Sequence, residues 1–252
     1  MSAIKIENLV KVYKKGTKEE KLAVRGINLS IAKGEFVGLL GSNGAGKSTT
    51  IHCITGVSEP TSGHIKVFGH DVVSDYKNAR TKIGLSPQEF NIDFFALVED
   101  VLYYQAGFFG IVGEERKKRV EEMLNIFELQ EHRKKKFNFL SGGLKRRTVV
   151  AKALIHEPEI IILDEPTAGV DVETRQAIWK YLKMLHASGK TIILTSHYLE
   201  EIEEMCERVV IIKGGEIVYD ENIKTAMEGG KLETKYLEIT QKEPGLSQIK
   251  KD

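Results

Sequence analysis

The sequence predicts an α/β protein: a mostly parallel sheet, an N-terminal antiparallel β subdomain and an inserted helical subdomain. Three observations lead there. Unbroken apolar runs at Ile160–Leu163, Thr191–Leu194 and Val209–Ile212 suit parallel strands covered on both faces. Helical stretches separate them, from about Val172 to Ser188 and from Tyr198 to Cys206, which is βαβ order. From about Val98 to Ile155 the pattern turns helical and interrupts that order.

The elements follow along the chain. Ile4-Lys5-Ile6, Val10–Tyr13 and Ile27–Ile31 alternate as half-buried strands do. Glu35–Leu40 is a short apolar run and reads as a buried strand, and Ile65–Phe68 as another. Gly34, Gly63 and Gly69 mark turns. Within the charged stretch from Glu114 to Lys136, residues Val120, Met123, Leu124 and Phe127 recur at three and four, an amphipathic face. After Asp220 the chain is polar and short of apolar periodicity. The expected division is a main domain over residues 1–220, with a helical insertion at about 90–157, and a small appendage over 221–252.

Composition narrows the class. With 252 residues, 41% hydrophobic and 29% charged, the chain suits one large α/β domain. Its net charge of +1 gives no drive toward nucleic acid or anionic membrane. Cys53 and Cys206 lack metal-ligand spacing and read as reduced thiols of a cytosolic protein. No apolar run approaches the roughly 20 residues of a membrane span, and the start does not read as a signal peptide. Action at a membrane would therefore go through a partner.

The chemistry starts at Gly41-Ser42-Asn43-Gly44-Ala45-Gly46-Lys47-Ser48, a G-x-x-x-x-G-K-S phosphate-binding loop. Glycines let successive backbone N–H groups turn toward an anion. Lys47 brings positive charge to β- and γ-phosphates, and the Ser48 hydroxyl suits Mg²⁺. Ser48-Thr49-Thr50 opens a helix whose N-terminus points at the phosphates. The fold class is thus a P-loop nucleotidase core.

A second piece is the strand Ile160–Leu163 ending in Asp164-Glu165. Strands often end in an acid, so the pair alone is a common pattern. Beside a phosphate loop, Asp164 stands where Mg²⁺ is held, and Glu165 where an attacking water is polarised. The third piece is Leu140-Ser141-Gly142-Gly143, followed by Leu144-Lys145-Arg146-Arg147. Its glycines and Ser141 offer a second anion cradle at a helix start. In isolation Ser-Gly-Gly reads as an ordinary helix start; beside a phosphate loop, two cradles for one γ-phosphate suggest a shared site, and a head-to-tail pair of chains is the simplest arrangement.

In this order the three pieces resemble the ATP-binding subunit of an ABC transporter, over about Ile4 to Asp220. The resemblance implies ATP and Mg²⁺ as cofactors and adds residues. Tyr13 stands where an aromatic stacks on adenine. Gln88 matches a glutamine that touches Mg²⁺ and the membrane partner. Asp171, in Ala168–Asp171, resembles a residue that reaches across the dimer. His197 matches a histidine on the γ-phosphate. The implied nucleotide set is Tyr13, Gly41 to Thr49, Gln88, Ser141, Gly142, Gly143 and Asp171; the metal set is Ser48, Gln88 and Asp164; Glu165, His197 and Lys47 carry catalysis.

Where the family has Gln after Ser-Gly-Gly, this chain has Leu144. That change and the run Ser196–Glu203 resemble the exporter-like, ABC-2 type branch. The implied partners are a second copy and an integral membrane permease docking near Gln88–Phe95, with the protein peripheral at the cytoplasmic face. The stretch Phe90–Phe95 reads either as core or as that docking surface. The basic run His132–Lys136, with Lys145 to Arg147, reads as a solvated helix face, and no nucleic acid is expected. The alternative is a soluble ABC ATPase serving ribosomes, DNA or cofactor assembly.

Overall fold

In the computed structural model, which describes residues 2–228 and 230–241, the chain forms two sheets. The first part supplies β1 (Ser2–Tyr13), β2 (Lys21–Ala32), β3 (Phe36–Leu40), α1 (Lys47–Ile54), β4 (Ser62–Val67), β5 (His70–Asp71), α2 (Tyr76–Thr81) and β6 (Ile83–Ser86). The helical insertion holds α3 (Val98–Phe108), α4 (Gly113–Ile126) and α5 (Gly142–Leu154). The last part supplies β7 (Ile160–Asp164), α6 (Val172–Ala187), β8 (Thr191–Thr195), α7 (Leu199–Met205) and β9 (Arg208–Lys213). It ends with β10 (Glu216–Asn222), α8 (Ile223–Ala226) and α9 (Leu232–Gln241).

The smaller sheet is antiparallel, in the order β2-β1-β4-β5. The larger runs β10-β9-β3-β8-β7-β6. Its strands are parallel except β10, which pairs antiparallel with β9 at one edge.

Period-two alternation inside the apolar runs decides the layers. Phe36, Leu40, Ile161, Leu163, Ile192, Leu194, Val209 and Ile211 pack with the helical insertion and the C-terminal helices. Val37, Leu39, Ile160, Ile162, Ile193, Val210 and Ile212 pack with α1 and the smaller sheet. Each run looked continuous because both faces are covered.

Three local features differ from expectation. Ile4–Ile6 and Val10–Tyr13 belong to one strand, and the break in alternation is a bulge: Asn8 has φ 50°, and the register shifts between Ile6 and Leu9. The run His132–Lys136 is not a helix face; after a short 3₁₀ turn it becomes loop, where Arg133 pairs with Glu99 and Glu121. Beyond Asp220, β10 continues, and Ile223, Ala226 and Leu232 are buried in the core on the helical side. Residues 242–252 of the expected appendage lie outside the described residues.

The insertion joins the sheet partly through His156. Its ring stacks on Phe109 with centroids 3.5 Å apart, and its Nε2 lies 3.1 Å from the Ile83 carbonyl oxygen, the neutral ring donating. Burial pushes its pKa from 6.5 down to about 4. The unfolded chain therefore binds a proton that the fold refuses between those values. Stability falls as pH drops from 6.5 toward about 4 and gains nothing from this group above 6.5. We predict that His156→Phe, which keeps the stack and removes the titration, flattens the pH dependence of urea-derived unfolding free energy across that window. An unchanged slope places the acid sensitivity elsewhere.

Candidate active site at the ends of four parallel strands

Strands β3, β6, β7 and β8 end at one edge, and each hands a functional segment to it. The register aligns Ser86 with Leu163, Asp164 with Thr195, and Leu39 with Thr195. Ligands of open parallel sheets bind beyond such strand ends.

The loop after β3 needs its glycines for specific reasons. Gly41 has φ 153°, and a Cβ there would meet the Ile212 carbonyl oxygen at 2.3 Å. Gly46 has φ 113°, and its Cβ would meet the Ala23 carbonyl oxygen at 2.8 Å. α1 starts at Lys47. The Lys47 side chain is buried and donates to the carbonyls of Gly41 at 2.7 Å and Ser42 at 3.3 Å. Burial lowers its pKa, while Glu165 and Asp164 oppose that shift. The Lys47 side chain thus rests on the carbonyls of its own loop.

The carboxylates are equally confined. Asp164 and Glu165 are both buried. The Thr195 hydroxyl donates to Asp164 Oδ1 at 2.5 Å and accepts the Glu165 N–H at 3.0 Å. Glu165 adopts φ 53°, a left-handed conformation that costs a side-chain-bearing residue about 1–3 kcal/mol. Its Oε1 lies 2.5 Å from His197 Nε2, and its Oε2 accepts from Gln88 Nε2 at 2.9 Å. Segments following β6 and β8 therefore grip one carboxylate from two sides.

A cleft of about 340 Å³ opens above them, lined by Tyr13, residues 42–49, Gln88 and Glu165, together with Lys21 and Ala23. Tyr13 faces Lys21 across the β1–β2 ladder, and the Lys11 ammonium lies 5.0 Å from the Tyr13 ring centroid. Lys21 and Ala23 carried no motif; only strand pairing brings them here.

Ser141, Gly142, Gly143 and Asp171 do not line this cleft. Ser141 caps α5 by accepting from the Leu144 N–H at 3.3 Å. Asp171 caps α6, accepting from the Thr174 N–H at 2.8 Å and hydroxyl at 3.0 Å, and those bonds lower its pKa. A Cβ on Gly143 would meet the Thr174 hydroxyl at 3.1 Å and Asp171 Oδ2 at 3.5 Å. These residues form a second surface, with Ser141 and Asp171 both exposed.

Arg146 is the residue that sequence reasoning misplaced. It is buried, donating to the carbonyls of Pro87 at 2.9 Å and Gln88 at 3.1 Å, with its guanidinium 5.1 Å from the Phe90 ring centroid. It ties the Ser141 helix to the Gln88 segment. A three-residue basic run does not show which member turns inward.

A lysine held in a glycine loop at a helix start, with an Asp-Glu pair at the end of the next parallel strand but one along the sheet, defines a P-loop nucleotidase. Residues 24–168 match the ABC transporter family. The chain belongs to that family and is an ATPase of the ABC type. It is 42% identical over 215 residues to the linearmycin resistance ATP-binding protein LnrL of Bacillus subtilis, covering 85% of this chain and 68% of that one. It is 39% identical over 197 residues to the Nod factor export ATP-binding protein I of Burkholderia pseudomallei, covering 78% and 65%. The chain thus spans about two thirds of these relatives' length. In structure it resembles a dimeric ATP-binding cassette in a post-hydrolysis state with ADP and Pi: TM-score 0.80, 32% identity, 87% of this chain and 98% of that one. It also resembles an ATP-binding subunit of an ABC transporter, with TM-score 0.85, 26% identity, and coverage of 94% and 99%.

The Thr195 hydroxyl bonds the Asp164 carboxylate and the Glu165 backbone N–H at once. Thr195→Val keeps the shape and removes both bonds, so we predict a maximal ATPase rate lower by about tenfold or more, with a smaller change in the Michaelis constant. Steady-state kinetics beside thermal melts checks this. A wild-type rate from the folded variant contradicts it.

Proposed function

We propose that this chain is the ATP-hydrolysing subunit of a transporter whose membrane-spanning subunits are separate chains. Two copies close head to tail on ATP, and hydrolysis reopens them. The carrying observation is the grip on Glu165 by Gln88 and His197 beside the Lys47 loop. Tyr13 stacks on adenine. The amides of residues 41–49 and Lys47 hold the phosphates. Glu165 polarises the water, and His197 steadies the charge that develops on the γ-phosphate. Ser141, Gly142, Gly143 and Asp171 of one copy complete the site of the other. The exposure of Ser141, Gly142 and Asp171 and the absence of all four from the cleft support that reading.

Mg²⁺ fits this donor set. Among the described residues no group of three or more His, Cys, Asp or Glu gathers to hold a metal. Ser48 and Asp164 offer hard oxygen donors, which suit an ion that keeps waters and arrives with phosphate; Gln88 is a third. When bound, Mg²⁺ would neutralise charge on the β- and γ-phosphates.

The partner reading rests on the relatives and on one surface. Linearmycin resistance and Nod factor export are roles given to relatives, and they favour transport over a ribosomal, DNA or cofactor-assembly role. In the stretch after Gln88, Phe90 and Ile92 pack on the core, whereas Phe94 and Phe95 are exposed. The exposed pair supports permease docking near Gln88–Phe95. Among the described residues no helix is long and apolar enough to cross a membrane. A place at the cytoplasmic face, through the permease, follows from this reading.

Two predictions test it. Glu165→Gln keeps ATP binding and removes the charge that polarises water, so turnover nearly vanishes and a dimer persists with ATP and Mg²⁺ on size exclusion. A variant that stays monomeric, or hydrolyses at the wild-type rate, removes Glu165 from this role. Lys47→Ala and Ser141→Arg proteins should each be inactive alone, because every shared site carries one defect. Mixed, they form dimers in which one site collects both defects and the other is intact. Part of the activity returns. If tagged mixed dimers form and no activity appears, each site lies within one chain.

A further inference from the structure

Behind the Glu165–His197 pair lies a buried carboxylate with no role in the steps above. Glu201, on the first turn of α7, is fully buried. Its Oε1 accepts the Trp179 indole N–H at 2.6 Å. The Thr167 hydroxyl donates to the same carboxylate, 3.0 Å from Oε1 and 2.9 Å from Oε2, and Thr167 is buried too. Burying a carboxylate is unfavourable, and these hydrogen bonds replace the water it has lost.

The three partners come from different segments. Thr167 lies two residues beyond Glu165. Trp179 belongs to α6. Glu201 sits four residues beyond His197, and its N–H bonds the Tyr198 carbonyl at 3.1 Å where α7 begins. The path forms a ring. It runs from Glu165 through Pro166 to Thr167, across to Glu201, back along Tyr198 to His197, and across to Glu165 Oε1 at 2.5 Å. Beyond the strand ends, where the Glu165 N–H already bonds Thr195, two side-chain contacts close this ring: Thr167 with Glu201, and His197 with Glu165. Within it Glu165 holds a left-handed backbone, and the His197 side chain is 45% exposed, so His197 has little packing of its own.

We infer that Glu201 is a positioning residue for ATP hydrolysis: by clasping Thr167 and Trp179 it holds the Glu165 and His197 segments at their working separation. This rests on the reading of Glu165 as the group that polarises the attacking water. The clasp lies away from the nucleotide cleft, whose lining includes none of its three members. Its loss therefore acts on the rate of the bound complex and not on ATP binding.

The protein contains a single tryptophan, so the emission of Trp179 reports on the clasp itself. Four variants of the full chain decide the matter. Thr167→Val is isosteric and leaves the Trp179–Glu201 bond in place. Glu201→Leu removes the clasp. In Glu201→Gln the amide oxygen accepts from Trp179 and the amide N–H donates to Thr167. Glu165→Gln is the control. With Glu165→Gln inactive, Thr167→Val and Glu201→Leu lower the maximal ATPase rate by about tenfold or more, and the Michaelis constant for ATP stays within about twofold. Glu201→Gln restores most of the rate. Trp179 emission is wild type in Thr167→Val and shifted in Glu201→Leu. A wild-type maximal rate in Thr167→Val overturns the inference even if Glu201→Leu fails to fold. So does a loss confined to the Michaelis constant. An active Glu165→Gln instead overturns the underlying reading of Glu165, and the clasp would then have no catalytic pair to position.

Discussion

The pairing of Asp164 with Thr195 across β7 and β8 is the constraint on which the site depends. It sets one hydroxyl between two consecutive carboxyl-bearing residues, donating to the first side chain and accepting from the second backbone N–H. A slip of one residue would send every β8 side chain to the other face. Leu194 would then leave the helical side and Ile193 the side of α1. The same apolar alternation that builds the layers therefore fixes where Thr195 stands. Strained backbone at Glu165 is tolerated because neighbours on both flanks determine its place.

Electrostatics follows from this placement. Lys47 is buried facing Asp164 and Glu165, and both carboxylates raise a pKa that burial lowers. Positive and negative groups thus wait on opposite sides of a narrow cleft. In the proposed function Lys47 faces phosphate, and Asp164 is among the residues that would hold Mg²⁺. The helix start at Ser141 stands apart, capped by Ser141 itself, with Gly143 so near Thr174 that a Cβ would crowd its hydroxyl. Arg146 links the helix that starts at Ser141 to the Pro87 and Gln88 carbonyls.

Much of the site was legible because its residues are neighbours in sequence. The loop Gly41–Ser48 and the pair Asp164-Glu165 carry their chemistry within a few positions, so residue type and spacing suffice. Thr195, Lys21 and Glu201 were not legible as participants. Their roles arise from register and packing between segments distant along the chain, and a lone Thr, Lys or Glu announces nothing. For the fold, the interleaved apolar runs were readable as parallel strands. α9 was missed because Leu232, Tyr236 and Ile239 provide a single four-then-three spacing, too brief to stand out from a polar tail. The bulge at Asn8 divided one strand into two readings for a similar reason: local alternation fails where the ladder continues.

In the proposed arrangement this edge forms half of a nucleotide site and a second copy supplies the rest. A structure of the full chain carrying Glu165→Gln, solved with ATP and Mg²⁺, tests it most directly. The expected result is a two-fold dimer with each γ-phosphate between Lys47 of one copy and Ser141 of the other. A nucleotide enclosed by one chain, with Ser141 facing solvent in both copies, would contradict it.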